Sequence, residues 1–187
     1  MSLNRLPRLI WLALFVAMTV VGGLHADLTV TYIGLSIVLG SALIALSWID
    51  FSDYRLPNVL TLPLIAVGIG QSFLFDLVSI RLSLLGAVVG YGIFWAIGEF
   101  YFRLRNRDGL GLGDAKLLAA GGAWTGALAL SPIVLIGSFL AIPFALLDRS
   151  EAFNLKTVSF GPWLAIGIWF VWVFGYGTNG LPVTLTL

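Results

Sequence analysis

Two aspartates stand where apolar runs meet polar loops. Asp50 closes an uncharged stretch that begins at Tyr32, and Phe51 follows it. Asp114 opens another apolar stretch, broken only by Lys116, and follows Gly109-Leu110-Gly111-Leu112-Gly113. Two carboxylates brought together cannot both ionise easily. They share one proton, so one acts as base toward water and the other as acid toward a carbonyl. That is amide hydrolysis without metal, thiol or imidazole. Glycines at alternate positions let a backbone turn and another chain approach closely, which suits an extended peptide passing beside an acid. The plainer reading of the same residues is a loop tip closed by an ordinary helix N-cap Asp.

Little else in the chain offers chemistry. Cysteine is absent and His25 is the single histidine. Disulfides, thiolate zinc sites and cysteine nucleophiles are thereby excluded, and an imidazole-based metal site or Ser-His-Asp triad is disfavoured. No metal and no cofactor is implied. The net charge of +1 and the lack of long Lys/Arg runs give no footprint for nucleic acid.

The elements that carry the two acids are membrane helices. Of 187 residues, 59% are hydrophobic and 10% charged, against roughly 45–50% and about 25% in soluble chains. Mean hydropathy is +1.03, and too few polar residues exist to cover a water-soluble globule. A crossing needs about 20 apolar residues. Apolar segments run over Leu9–Gly23, Tyr32–Ile49, Val59–Phe75, Leu82–Phe102, Leu117–Leu130, Ile133–Leu147 and Val158–Gly175. The expected fold is all-α, a polytopic bundle of about seven transmembrane helices in a single domain over residues 1–187. The fifth and sixth segments are short and form one run, with Pro132 as the sharp break between them.

Basic residues set the orientation. With the N-terminus inside, Arg5, Arg8, Arg55, Arg103, Arg105, Arg107, Lys116, Arg149 and Lys156 all fall on the inner side and only Arg81 outside. Merging the fifth and sixth segments would move Arg149 and Lys156 outward, so two crossings are preferred there. The second segment then runs inward to Asp50 and the fifth starts inside at Asp114. Both acids lie at one depth on one side, although 64 residues apart. The N-terminal pattern of Arg5, Arg8 and an apolar stretch also resembles a secretory signal peptide; here it is expected to stay as the first helix.

The other acids read more plainly. Asp108, Asp148 and Glu151 belong to polar loops, and Asp27 and Asp76 to outer loops. Asp53, three residues after Asp50, shares its face on a continued helix and is placed to tune the pair, to contact a basic peptide, or to pair with Arg55. Glu99 is a supporting candidate whose plain reading is a pair with Arg103. Lys116 pairs with a carboxylate or marks the inner face. Trp48, Trp95, Trp124, Trp163, Trp169 and Trp172 are expected to pack or to sit in the interfacial belt. Gly86, Gly90 and Gly121-Gly122 suggest close helix packing.

These residues resemble a family. Gly111-Leu112-Gly113-Asp114 matches the GxGD motif of intramembrane aspartyl peptidases, and Gly113-Asp114-Ala115-Lys116-Leu117-Leu118-Ala119-Ala120 resembles the corresponding segment of bacterial type IV prepilin peptidases. Ile49-Asp50-Phe51 ahead of Leu56-Pro57-Asn58 resembles that family's other aspartate motif. Phe160-Gly161-Pro162 resembles its segment opening the last helix. The resemblance covers roughly residues 32–176. It implies Asp50 and Asp114 as the catalytic pair, with Gly111 and Gly113 as motif glycines. It also implies, as substrate, a prepilin or pseudopilin N-terminus with a short basic leader, cut after a glycine at the cytoplasmic face of the bacterial inner membrane. Many members carry a Cys-x-x-Cys insertion associated with N-methylation from S-adenosylmethionine; without cysteine, this chain resembles a peptidase-only form. Besides the peptide substrate, membrane lipid is the only partner implied, and the oligomeric state stays open.

A non-enzyme reading uses the same acids differently. A small transporter or channel would hold Asp50 and Asp114 as an ion or proton site. It calls for carboxylates near the bilayer midplane and paired discontinuous helices.

Overall fold

The structure, a computed structural model, describes residues 6–23, 29–105, 111–147 and 159–177. They form an all-α membrane helical bundle of seven helices: α1 Leu6–Gly23, α2 Val30–Asp53, α3 Asn58–Phe75, α4 Ile80–Arg105, α5 Leu112–Thr125, α6 Leu130–Leu147 and α7 Gly161–Gly177. No strand occurs among the described residues. By length and composition α2, α3 and α4 are each long and apolar enough to cross a membrane.

The short fifth helix is the centre of the bundle. Its 14 residues reach only about 21 Å at 1.5 Å per residue, less than a bilayer core. Every residue from Leu117 to Trp124 is buried, because α3, α4 and α7 surround it. Small residues let these neighbours come close. A Cβ on Gly122 would collide with the carbonyl of Gly86 on α4, and one on Gly86 with the carbonyl of Gly122. A Cβ on Gly90 would stand 2.8 Å from the Leu118 carbonyl oxygen. The packing role expected for these glycines is therefore what the structure displays.

The break between α5 and α6 differs from the expectation. It lies at Gly126, whose φ of 87° leaves the helical region, and a 3-10 turn at Ala127–Ala129 follows. Pro132 sits in the first turn of α6, where a missing N–H costs no helical hydrogen bond. Glycine, which tolerates positive φ, turns the chain here.

Tryptophans lock the remaining helices. Trp124 on α5 donates to the Leu64 carbonyl of α3 (2.8 Å). Trp169 and Trp172 on α7 donate to Thr19 of α1 (3.0 Å) and Ser36 of α2 (2.9 Å). Trp11 on α1 donates to the Pro162 carbonyl (2.7 Å). Each ring thus buries its apolar body and satisfies its N–H, a need sharpened where no water competes. Trp124, Trp163, Trp169 and Trp172 are core residues, whereas Trp48 and Trp95 are exposed on the flanks. Through Trp11 and Phe15, which stacks on Trp169, α1 is an integral part of the packing.

Candidate active site

Four helix ends converge around Asp50. Helix α2 runs to Asp53 and stops at Tyr54, which takes a left-handed conformation (φ 52°). Pro57 then caps α3. Asp50, in the last turn of α2, is only 5% exposed. At the start of α7, the Phe160 carbonyl accepts the N–H groups of Trp163 and Leu164; Pro162 has no N–H, so the Gly161 N–H is the donor of that first turn left for an outside acceptor. The Asp50 carboxylate takes that place. It accepts a hydrogen bond from the Gly161 N–H and a short one from the Ser159 hydroxyl. A helix N-terminus suits an anion for both its free donors and its dipole. A Cβ on Gly161 would lie 2.7 Å from Asp50 Oδ2, so only glycine allows the approach.

Asp114 reaches the same place from the other side. Gly111 is the N-cap of α5 and Asp114 its third residue. The loop-tip N-cap reading of Asp114 is thereby corrected: Leu112 and Gly113 already belong to the helix. Gly113 is pressed against Leu56, where a Cβ would stand 2.9 Å from the Leu56 Cβ. Gly111 is looser, since a Cβ there would meet Asp114 Oδ2 at an ordinary 3.6 Å. Leu56, itself buried, also lies 3.3 Å from where a Gly161 Cβ would be. It is a wedge between the two glycine segments and sets their spacing. The result brings the carboxylates of Asp50 and Asp114 near enough for the charge of Asp50 to act on Asp114. Two such groups can hold one proton between them.

Neighbouring polar residues brace this end of the bundle. Arg8 of α1 donates to the Phe51 carbonyl (2.9 Å) and lies over the rings of Trp48 and Phe51, a cation at the C-terminus of α2. Lys116 donates to Asn58 Oδ1 (2.6 Å) and ties α5 to the start of α3; its partner is an amide, not a carboxylate. Asp53 is exposed and forms no ion pair with Arg55. Both line an open groove of about 670 Å³ with Ile49, Leu56, Pro57 and Asn58. Glu99 pairs with Arg103 at 2.8 Å, and among the described residues no hydrogen bond joins it to either aspartate. Asp27, Asp108, Asp148, Glu151 and His25 lie outside the described residues. Among the described residues no group of His, Asp and Glu side chains could hold a metal ion.

Sequence reasoning did not single out Ser159, Leu56 or Arg8. Leu56 and Gly161 belong to segments already noted for their pattern. Ser159 and Arg8 carry no local signal, because each meets its partner only across the fold.

The profile of the Type IV leader peptidase family matches residues 37–146. The chain is similar to proteins named prepilin leader peptidase/N-methyltransferase. It is 40% identical to that of Escherichia coli (strain K12) over 125 residues, covering 66% of this chain and 56% of that protein. It is 39% identical to that of Aeromonas hydrophila over 145 residues, covering 75% and 49%. It is 35% identical to that of Dichelobacter nodosus over 144 residues, covering 76% and 49%. The chain thus spans about half the length of the curated relatives it matches. No solved structure matches it. The matched stretch contains Asp50, the GxGD segment, all of α5 and most of α2, and the chain belongs to the type IV leader peptidase family.

Proposed function

We propose that this protein is an intramembrane aspartyl endopeptidase that removes the short basic leader of type IV prepilins or pseudopilins. The observation that carries the reading is the convergence of Asp50, at the end of α2, and Asp114, at the start of α5, on the Leu56–Gly113–Gly161 contact, close enough for the charge of Asp50 to act on Asp114. The family assignment supports the peptidase class and this substrate class. The distribution of Lys and Arg supports placing that end at the cytoplasmic face of the bacterial inner membrane, where the leader would be cut after a glycine.

The chemistry needs one proton on the pair. The ionised aspartate takes a proton from water as the water oxygen bonds to the scissile carbonyl carbon. The protonated aspartate gives its proton to the carbonyl oxygen, forming a gem-diol. As the C–N bond breaks, the first aspartate returns its proton to the departing nitrogen and a diol hydroxyl reprotonates the second. The pair ends as it began, with a carboxylic acid and an amine as products. Gly111, Gly113, Asp53 and Lys116 support the site in this reading, with the groove beside Asp53 open to the leader. Glu99 is a weaker support, occupied as it is by Arg103. The reading is confined to leader cleavage. The methyl-transfer half of the relatives' name is not proposed for a chain without cysteine.

The transporter reading is less well supported. Asp50 lies in the last turn of α2 and Asp114 in the first turn of α5, at helix ends and not at mid-helix. The test is cleavage of a prepilin-like peptide by the purified chain in detergent or lipid. Asp50→Asn and Asp114→Asn should each abolish cleavage while the protein still inserts, and activity retained in either variant would sink the assignment.

A further inference from the structure

Asp50 and Asp114 are chemically unequal. The Asp50 carboxylate accepts both the Ser159 hydroxyl and the Gly161 N–H. A hydroxyl either donates or accepts, but a backbone N–H only donates, so the Gly161 contact selects for the ionised oxygen. The α7 N-terminus points at the same group and adds its dipole. Asp114 also stands in the first turn of a helix, but among the described residues no donor reaches its carboxylate, and the charge acting on it is that of Asp50. Two donors on one carboxylate outweigh a first-turn position on the other.

We infer that Ser159 is a positioning residue that, together with the Gly161 N–H, holds Asp50 as the carboxylate and so leaves the shared proton on Asp114. The inference rests on the aspartyl-peptidase reading and deepens it. Asp50 is then the base that takes the water proton, and Asp114 is the acid that protonates the carbonyl oxygen.

Among the described residues, the other charges near Asp50 are engaged or displaced from this task. Arg8 of α1 is bonded to the Phe51 carbonyl. Lys116 of α5 is bonded to Asn58 of α3. Asp53 and Arg55 face the open groove. Helix α7 carries no charged residue. Among the described residues, Ser159 is thus the side chain through which the ionisation of Asp50 is most directly adjusted.

The experiment measures kcat and KM against pH for the full chain and a prepilin-like peptide, comparing wild type with Ser159→Ala and Ser159→Thr. Removing a donor from a carboxylate makes it harder to ionise. In Ser159→Ala the acid limb of the profile should move up by about one pH unit, with the alkaline limb unmoved. On the acid side of the limb kcat should fall about tenfold, with a smaller loss at the old optimum, and KM should hold. Ser159→Thr, which keeps the hydroxyl, should restore both. A role in packing alone would lower thermal stability without moving the limb. An active Ser159→Ala enzyme with an unshifted acid limb overturns the inference, as does failure of Ser159→Thr to restore it. If Ser159→Ala is too unstable to assay, Ser159→Cys, a weak donor, must shift the limb the same way by less, and no shift overturns the inference. Cleavage that persists in Asp50→Asn or Asp114→Asn sinks the peptidase reading and this inference together. A dyad that is essential while the limb stays fixed sinks the role of Ser159 alone.

Discussion

Gly161 brings its backbone so close to Asp50 that a methyl group on its Cα would stand 2.7 Å from Oδ2. The first turn of α7 and the last turn of α2 are therefore fitted to each other through the absence of a side chain. A similar fit joins Gly113 to Leu56, at 2.9 Å, whereas Gly111 has room to spare.

These contacts order the glycines by necessity. Gly161→Ala must push the Asp50 carboxylate away from the Gly161 N–H, and Gly113→Ala must displace Leu56. Each should cut kcat by at least about tenfold and cost about 1–3 kcal/mol of stability from overpacking. Gly111→Ala should leave the melting temperature in detergent within error of wild type. Thermal melts and cleavage rates on the three variants check the order. Equal destabilisation by Gly111→Ala and Gly113→Ala would contradict it.

The aspartates themselves should be essential without being structural. Asparagine keeps an oxygen that accepts from Ser159 and Gly161, so Asp50→Asn should fold. Loss of an acid or base in the pair should lower cleavage by about 10²–10⁴-fold or more, and the double variant should be no worse than either single one, as for groups that act as a unit. Single-turnover rates on a synthetic leader peptide measure this.

The approach of Asp50 to Asp114 was legible in the sequence because two independent patterns pointed to it. Alternating crossings, counted from Lys and Arg, put Asp50 and Asp114 on one side, and motif context separated them from the other acids. Most of the seven helices were legible from apolar length, but α5 and α6 form one apolar run and were kept apart only by the placement of Arg149 and Lys156. The break before α6 was not legible: Pro132 is the stronger local punctuation, but a proline in a first turn breaks no bond, and Gly126 bends the chain. The plainer alternative for Asp114, a helix N-cap, does not hold, since Gly111 caps α5 and leaves Asp114 inside its first turn. Ser159 was invisible because its meaning comes from a partner 109 residues away. No local rule marks a serine in a loop as the donor to a distant carboxylate.

The centre of the bundle makes a separate prediction. Gly86 and Gly122 face each other across α4 and α5 with no space for a Cβ on either, and Ser83 closes the same contact by donating to the Ala123 carbonyl (2.6 Å). Gly86→Ala should destabilise the fold by about 1–3 kcal/mol and lower its melting temperature in detergent, with residual folded protein still cleaving peptide. Gly92, which has nothing within 4 Å of an added Cβ, is the control: Gly92→Ala should be neutral or slightly stabilising in helix α4.

Asp53 gives the prediction most specific to substrate choice. It is exposed, carries no ion pair among the described residues, and lines the groove formed with Ile49, Arg55, Leu56, Pro57 and Asn58. A basic leader entering that groove would meet this free carboxylate. Arg55 in the same groove opposes part of that attraction, so the gain is that of an exposed pair, up to about 1 kcal/mol. Asp53→Asn should therefore raise KM for a leader carrying Lys or Arg by about two- to fivefold and leave kcat alone. A leader with those positions changed to Gln should show the same KM in wild type and variant, and high salt should erase the difference for the basic leader. Equal effects on charged and neutral leaders would assign Asp53 to the protein's own packing instead of to the leader. A fall in kcat with KM unchanged would place it with Asp50.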